Sequence, residues 1–201
     1  SPGSGAFFIL DATTNTAAEG AETSRMGMYL RYVNLSAKNS INPDVVYFRG
    51  IPEIARKQKL ELHNRWNLEF DTAEIPEYAQ IMNTSFDRVA DGIFWSGKMH
   101  LPKTWEDIML MLFPVLDING NVQGACGLEV NDMYFRLSYP SMDSHFGNMI
   151  TVMAPVKDDK ILLNQGMIGG LDGVYMEDAD DFRVREGKYF NTYIGAKETY
   201  L

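Results

Sequence analysis

The chain has 201 residues, enough for one large domain or two small ones at roughly 100–200 residues per domain. It carries 18 basic and 27 acidic residues, a net charge of −9, with no Lys/Arg cluster, which excludes the cationic footprint of a nucleic-acid binder and disfavours attachment to anionic lipid. Hydrophobic residues at 45% and charged residues at 22% exclude disorder as the main state, and the longest nearly uncharged apolar run, Ile108 to Leu116, is about half of what a membrane-spanning helix needs.

The first residues, Ser1-Pro-Gly-Ser-Gly5, lack a basic n-region and an apolar h-region and read as a boundary or a mature end. Gly5-Ala-Phe-Phe-Ile-Leu-Asp11 is a short apolar run with a flanking Gly, the pattern of a strand. Residues 12–25 are small and polar, a turn or exposed loop. Met26 to Val33 is the returning strand, and residues 34–44 form a loop rich in Asn, Ser, Lys and Pro. Pro52 suits the first turn of a helix, where its missing N–H costs little. From Glu53 to Phe70 the apolar residues Ile54, Leu60, Leu62, Trp66, Leu68 and Phe70 among charges predict a helix. Pro76 opens a second, short one within residues 71–91.

Ile93 to Lys98 reads as a strand. Asp107 to Asp117 is apolar at both alternating positions, which predicts a strand covered on both faces. Pro114 cannot donate to a ladder and marks a bulge or an edge. Ile118-Asn-Gly-Asn121 is hairpin-turn chemistry, with Val122 to Val130 as the partner strand and one helical turn within Asp132–Leu137. Two further hairpins come after it: Met149–Val156 with Lys160–Gln165 around Lys157-Asp-Asp159, and Phe182–Arg185 with Lys188–Ile194 around Glu186-Gly187. No repeat or low-complexity segment interrupts the chain.

The chemistry of common enzymes is missing. His63, His100 and His145 show no ligand spacing, and each reads as a surface or satisfied histidine. No nucleophile elbow, P-loop or dinucleotide fingerprint follows a strand. Gly166, Gly169, Gly170 and Gly173 are spaced as turns. Asp117-x-Asn119-x-Asn121 starts like a calcium loop, but its Gly stands at 120 and its twelfth position is Leu128. The single Cys126 excludes a disulfide framework and multi-cysteine metal sites and reads as a buried, inert thiol. Asp158-Asp159 and Asp180-Asp181 read as solvated turns. No cofactor is expected and nothing supports an enzyme.

Three stretches together resemble the extracytoplasmic Cache sensor domains of bacterial receptors. Gly5-Ala-Phe-Phe-Ile-Leu-Asp11 with Gly27-Met-Tyr-Leu-Arg31 is similar to the opening hairpin. Gly92-Ile-Phe-Trp-Ser96 looks like the strand after the pocket helix. Met109 to Val130 matches the closing hairpin: an apolar strand ending Pro114-Val115, an Asp117-x-x-Gly120 turn, then Gly124-x-x-Gly127-x-Glu129-x. The resemblance covers residues 5–138 well and 149–201 loosely. It implies an α+β, PAS-like fold, an antiparallel sheet flanked by helices and packed on a long N-terminal helix. That helix and the flanking membrane segments are not in this sequence. In the tandem, double-Cache form, residues 1–140 are the membrane-distal ligand module and 141–201 a smaller or truncated proximal one.

The resemblance also implies a site and partners. Amino-acid-sensing members hold the ligand amine with an acidic residue in the last strand, where Glu129 stands in place of the usual Asp. A carboxylate on an apolar strand is costly to bury unless paired; the other reading is that Glu129 faces solvent or pairs with a local Arg. Phe94 and Trp95 stand where the family has an aromatic pocket wall, with core packing as the alternative. Arg65-Trp66 is similar to the family's Arg-x-Trp element without its spacer. Arg65 and Arg49 are candidates to hold a ligand carboxylate bidentately, unless they face solvent, and Tyr29 offers a hydroxyl. The expected partner is a small molecule, such as an amino acid, amine or organic acid, at the extracellular or periplasmic face of the membrane. Tethering runs through segments absent from this chain, in a receptor that is a homodimer at full length. The output would be a histidine kinase, diguanylate cyclase, chemoreceptor or membrane-tethered transcription regulator. An intracellular PAS- or GAF-like regulatory domain ranks second, and a small-molecule enzyme third.

Overall fold

A computed structural model describes residues 3–33, 45–86, 88–101 and 104–139, and beyond these 142–144, 147–149, 151–157, 160–169, 183–185, 191–194 and 197–200. The fold class is α+β. The chain divides into two compact units, Ser1–Ser96 with Leu101–Asn131, and Gly97–His100 with Asp132–Leu201. Residues 132–140, assigned from sequence to the first module, thus cluster with the second.

In the first unit, β1 (Gly5–Leu10), β2 (Ser24–Arg25), β3 (Gly27–Tyr32) and β4 (Val45–Arg49) precede α1 (Pro52–Gln58). Then come β5 (Glu61–Asn67), β6 (Phe70–Asp71), α2 (Pro76–Met82) and β7 (Phe94–Trp95). The hairpin β9 (Asp107–Leu116) and β10 (Val122–Asn131) closes the unit, and β8 (Met99–His100) belongs to the second unit. The sheet order is β5-β4-β3-β1-β10-β9-β7. Every pair is antiparallel except β4–β5, which is parallel, so the sheet is mixed rather than wholly antiparallel.

Register sorts the sheet into two faces, because residues directly opposite each other share a side. Gly5 lies opposite both Arg31 and Glu129, and Phe7 opposite Tyr29 and Gly127. Leu110, Leu112 and Pro114 continue that side across β9. All but Gly127 are buried. This face is covered by Phe70, Ile75, Tyr78, Ile81 and Phe86, themselves buried. Phe70 stacks on Tyr29 at 6.0 Å, and Phe86 meets Phe94 edge-on at 6.2 Å. The opposite face carries Phe8, Met28, Leu30, Met111, Phe113, Cys126 and Leu128, all half-buried, and at one end Met109 and Val130, which are buried. The expectation that β9 is covered on both sides holds at Ile108–Leu110, all buried, and for one side only beyond them, where Met111 and Phe113 keep part of their surface.

The hairpin turn forms as its residues dictate. The Asp117 carboxylate accepts from the backbone N–H of Asn119 at 2.8 Å and of Asn121 at 2.9 Å, and Gly120 takes φ 83. The long helix expected over Glu53–Phe70 is a correction. Helix α1 starts at Pro52 as predicted, but Lys59 turns into the left-handed region at φ 56 and ends it. Beyond Lys59 the chain extends into strand β5. The strand is set by its parallel pairing with β4 and not by an apolar face: Leu62 is exposed, and only His63 and Trp66 are half-buried. Regular strand at Ile93–Lys98 shortens to Phe94–Trp95.

The second unit is built of short elements. Helix α3 (Asp132–Ser138) spans two turns where one was expected. Strand β11 (Met142–Ser144) pairs with β12 (Gly147–Met149), and β13 (Val152–Met153) with β16 (Met167–Ile168). A five-stranded sheet runs in the order β14 (Val156–Lys157), β15 (Lys160–Ile161), β17 (Arg183–Arg185), β18 (Asn191–Ile194), β19 (Lys197–Tyr200). Of the two expected hairpins, Phe182–Ile194 is present as the β17–β18 pair, while Met149–Gln165 shrinks to the β14–β15 pair: Val152–Met153 pairs with β16 instead, and Leu163–Gln165 is a single 3-10 turn. Lys157, expected in the first turn, lies in β14; Asp158-Asp159, Glu186-Gly187 and the expected loop at 34–44 lie outside the described residues, as do His145, Gly170, Gly173 and Asp180-Asp181.

Candidate functional site

The covered face holds a buried charge. Glu129 is 0% exposed, a placement that demands partners. It has four donated bonds. Ser4 Oγ donates at 2.6 Å and Arg31 donates from Nε at 2.7 Å and Nη2 at 3.0 Å. The Tyr29 hydroxyl supplies the fourth. Strand geometry explains the convergence: Tyr29 and Arg31 are two apart on β3 and point to one side, across β1 from Glu129. Gly5 stands between them, and a Cβ there would sit 3.2 Å from both Glu129 Oε2 and the Tyr29 ring.

The network continues outward. Arg31 is 6% exposed and also pairs with Glu106, whose side chain is 40% exposed. Asn131 Nδ2 donates to the same Glu106 oxygen at 2.6 Å, and the Asn131 backbone N–H donates to Ser4 Oγ at 2.8 Å. Burial works against the charge on Arg31, but Glu129 and the hydrogen bonds to Glu129 and Glu106 outweigh it and raise its pKa. Burial, and then the charge of Glu129, push the Tyr29 phenol well above its ordinary value, so it stays protonated and donates. The cation paired with Glu129 is thus Arg31, the local-Arg reading of this residue. Sequence reasoning missed Ser4, Arg31, Glu106 and Asn131. The signal for Arg31 was available, since it alternates with Tyr29 on a strand.

Four of the other residues singled out from sequence also meet. Arg49 lies opposite Tyr29 with its guanidinium carbon 4.4 Å from the Phe48 ring centre; that of Arg31 lies 5.3 Å from the same ring. Arg49 Nη1 donates to the carbonyls of Phe48 at 2.9 Å and Arg65 at 3.0 Å. Trp66 Nε1 donates to the Gly50 carbonyl at 3.0 Å. The His63 ring packs 4.8 Å from Phe48. Among the described residues no carboxylate lies within ion-pair distance of Arg49. Burial lowers its pKa first, opposed by the charge of Glu74. His63 is lowered by burial and then by Arg31. Arg65 is exposed.

Phe94 and Trp95 lie elsewhere. Four strands separate β7 from β4, about 24 Å at ~4.8 Å per strand, so neither shares a small-molecule pocket with Arg49. Adjacent on one strand, they also face opposite ways. Phe94 sits opposite Leu112 on the covered side, and Trp95 opposite Met111 on the open side, 45% exposed. Cys126 is half-buried on the open face, where burial raises its pKa. Among the described residues no group of His, Cys, Asp and Glu is arranged to hold a metal ion, and no helix is long and apolar enough to cross a membrane. In comparisons with known proteins, no family model, no curated protein and no solved structure matches this chain.

Proposed function

We propose that this chain is the ligand-sensing part of a bacterial membrane receptor, a Cache-type, PAS-like module working on the outer side of the membrane. The observation that carries the reading is the one-sided sheet. The opening hairpin β1–β3 and the closing hairpin β9–β10 pair through β1–β10. One face is filled by α2 and its neighbours; the other is apolar and, apart from the buried Met109 and Val130, half-buried, the kind of surface on which the resembled fold lays its long helix. Ligand would act by population shift, favouring one packing of sheet and helices.

The bound partner is a small molecule, and the internal pairing of Glu129 favours an acid over an amine. A second carboxylate-seeking group, Arg49, keeps donors beyond Nη1 on the same face. The test is a thermal-shift screen against amino acids, amines and short organic acids. A ligand at about 100 times its dissociation constant adds roughly 2.7 kcal/mol. The expected result is a rise with carboxylic acids that Arg49→Gln reduces. A response confined to amines, abolished by Glu129→Gln, would return the ligand to Glu129. Turnover of any panel member would replace the sensor reading with an enzyme.

A further inference from the structure

We infer that Arg31 and Asn131 form a built anion site for a small organic acid, and that the Glu106 side chain is its internal occupant. The inference goes beyond the sensor reading at Arg49, because its donors are different groups. Both donors are buried, while the carboxylate they hold comes from a side chain that reaches solvent. One Glu106 oxygen takes both Arg31 Nη2 and Asn131 Nδ2. Arg31 is fixed independently of Glu106 by its Nε and Nη2 bonds to Glu129, and the main chain that carries the buried Asn131 amide by its bond to Ser4 Oγ. Removing the occupant therefore leaves the receptor in place, a preorganised guanidinium edge beside an amide.

An external carboxylate would make the same two contacts and displace Glu106 toward water. Such a competitor weakens the ligand by a calculable factor. An occupant seated about 90% of the time lowers apparent affinity about tenfold. The neighbouring Trp105, 99% exposed, reports the exchange by its fluorescence.

The experiment is carboxylate rescue. Glu106→Ala is titrated with acetate, using chloride at matched ionic strength as control, and melting is followed. The expected result is a rise in Tm that grows with the logarithm of acetate concentration and reaches about 3–6 °C at about ten times the dissociation constant. It should be lost when Asn131→Leu is added and kept when Arg49→Gln is added instead. Wild type should bind acetate about tenfold more weakly, read by Trp105 fluorescence with Trp105→Phe as control. That wild-type titration stands even if Glu106→Ala folds poorly. If acetate acts no differently from chloride on the variant, and leaves wild-type Trp105 fluorescence unchanged, Glu106–Arg31 is a structural ion pair only. The sensor reading is unaffected by that outcome, because its own screen depends on Arg49.

Discussion

The two faces of the central sheet reverse the usual expectation. The covered face contains the charges: Glu129 and Arg31 lie among Phe7, Tyr29 and Leu112, with almost no exposure. The open face is the more uniformly apolar, yet Phe8, Leu30, Phe113 and Leu128 stay half-buried. Burial here follows what packs over the strands, not the polarity of the side chains. A fully satisfied ion pair is tolerated inside because every donor is aligned by strand register, whereas an apolar residue outside simply keeps part of its surface.

The comparison breaks most directly at the pair itself. Glu129→Ala leaves the Arg31 charge buried with one partner fewer, and such removals cost about 3–5 kcal/mol; urea unfolding should read a loss of that size. Next comes a matched pair of neighbours on β1. Phe7→Ala on the covered face should cost about 3–5 kcal/mol. Phe8→Ala, with less surface removed from water, should cost roughly half of that or less. Equal losses would mean that the open face is covered in solution.

A smaller effect belongs to pH. His63 is held below its ordinary value of 6.5 by burial and by Arg31, Arg49 and Arg65, with Glu106 opposing. Its neutral form is the one the fold prefers. The associated stability is present above pH 6.5 and is lost as pH falls through the lowered folded value. His63→Gln should flatten the stability slope between pH 6.5 and 5. The smallest effect is at Trp105, where replacement by Ala should change stability by no more than about 0.5 kcal/mol.

Local chemistry was legible in the sequence; convergence across the sheet was not. The Asp117–Asn121 turn, Pro52 at the start of α1 and Pro76 at the start of α2 are all set by neighbours in the chain, so their residues announce them. Strand β5 was hidden because Glu61–Asn67 has no apolar alternation to announce it: Leu62 is exposed and only His63 and Trp66 are half-buried. Glu129 was visible as an acid on an apolar strand. Its partners were not, since Arg31 is 98 positions away and Ser4 125, and only the pairing of β3, β1 and β10 brings them together. Arg49, Arg65 and Trp66 meet through the parallel β4–β5 pair, an arrangement the helical reading of residues 53–70 concealed.

Pro114 has a consequence for how the molecule behaves in company. The N–H and carbonyl of Leu110 point to the β7 side, bonding Ser96 Oγ at 2.8 Å and the Ser96 N–H at 2.9 Å. Groups two residues apart in a strand point the same way, so the Pro114 nitrogen faces the outer margin of β9, past the two residues paired with β7. At that position the chain has no donor to lend. A stray strand from another molecule, seeking to extend the ladder, finds this rung donorless and already covered by Gly92, where an added Cβ would stand 2.7 Å from the Pro114 ring. Aggregation by edge-to-edge growth is thereby discouraged at one of the most hydrophobic stretches of the sequence.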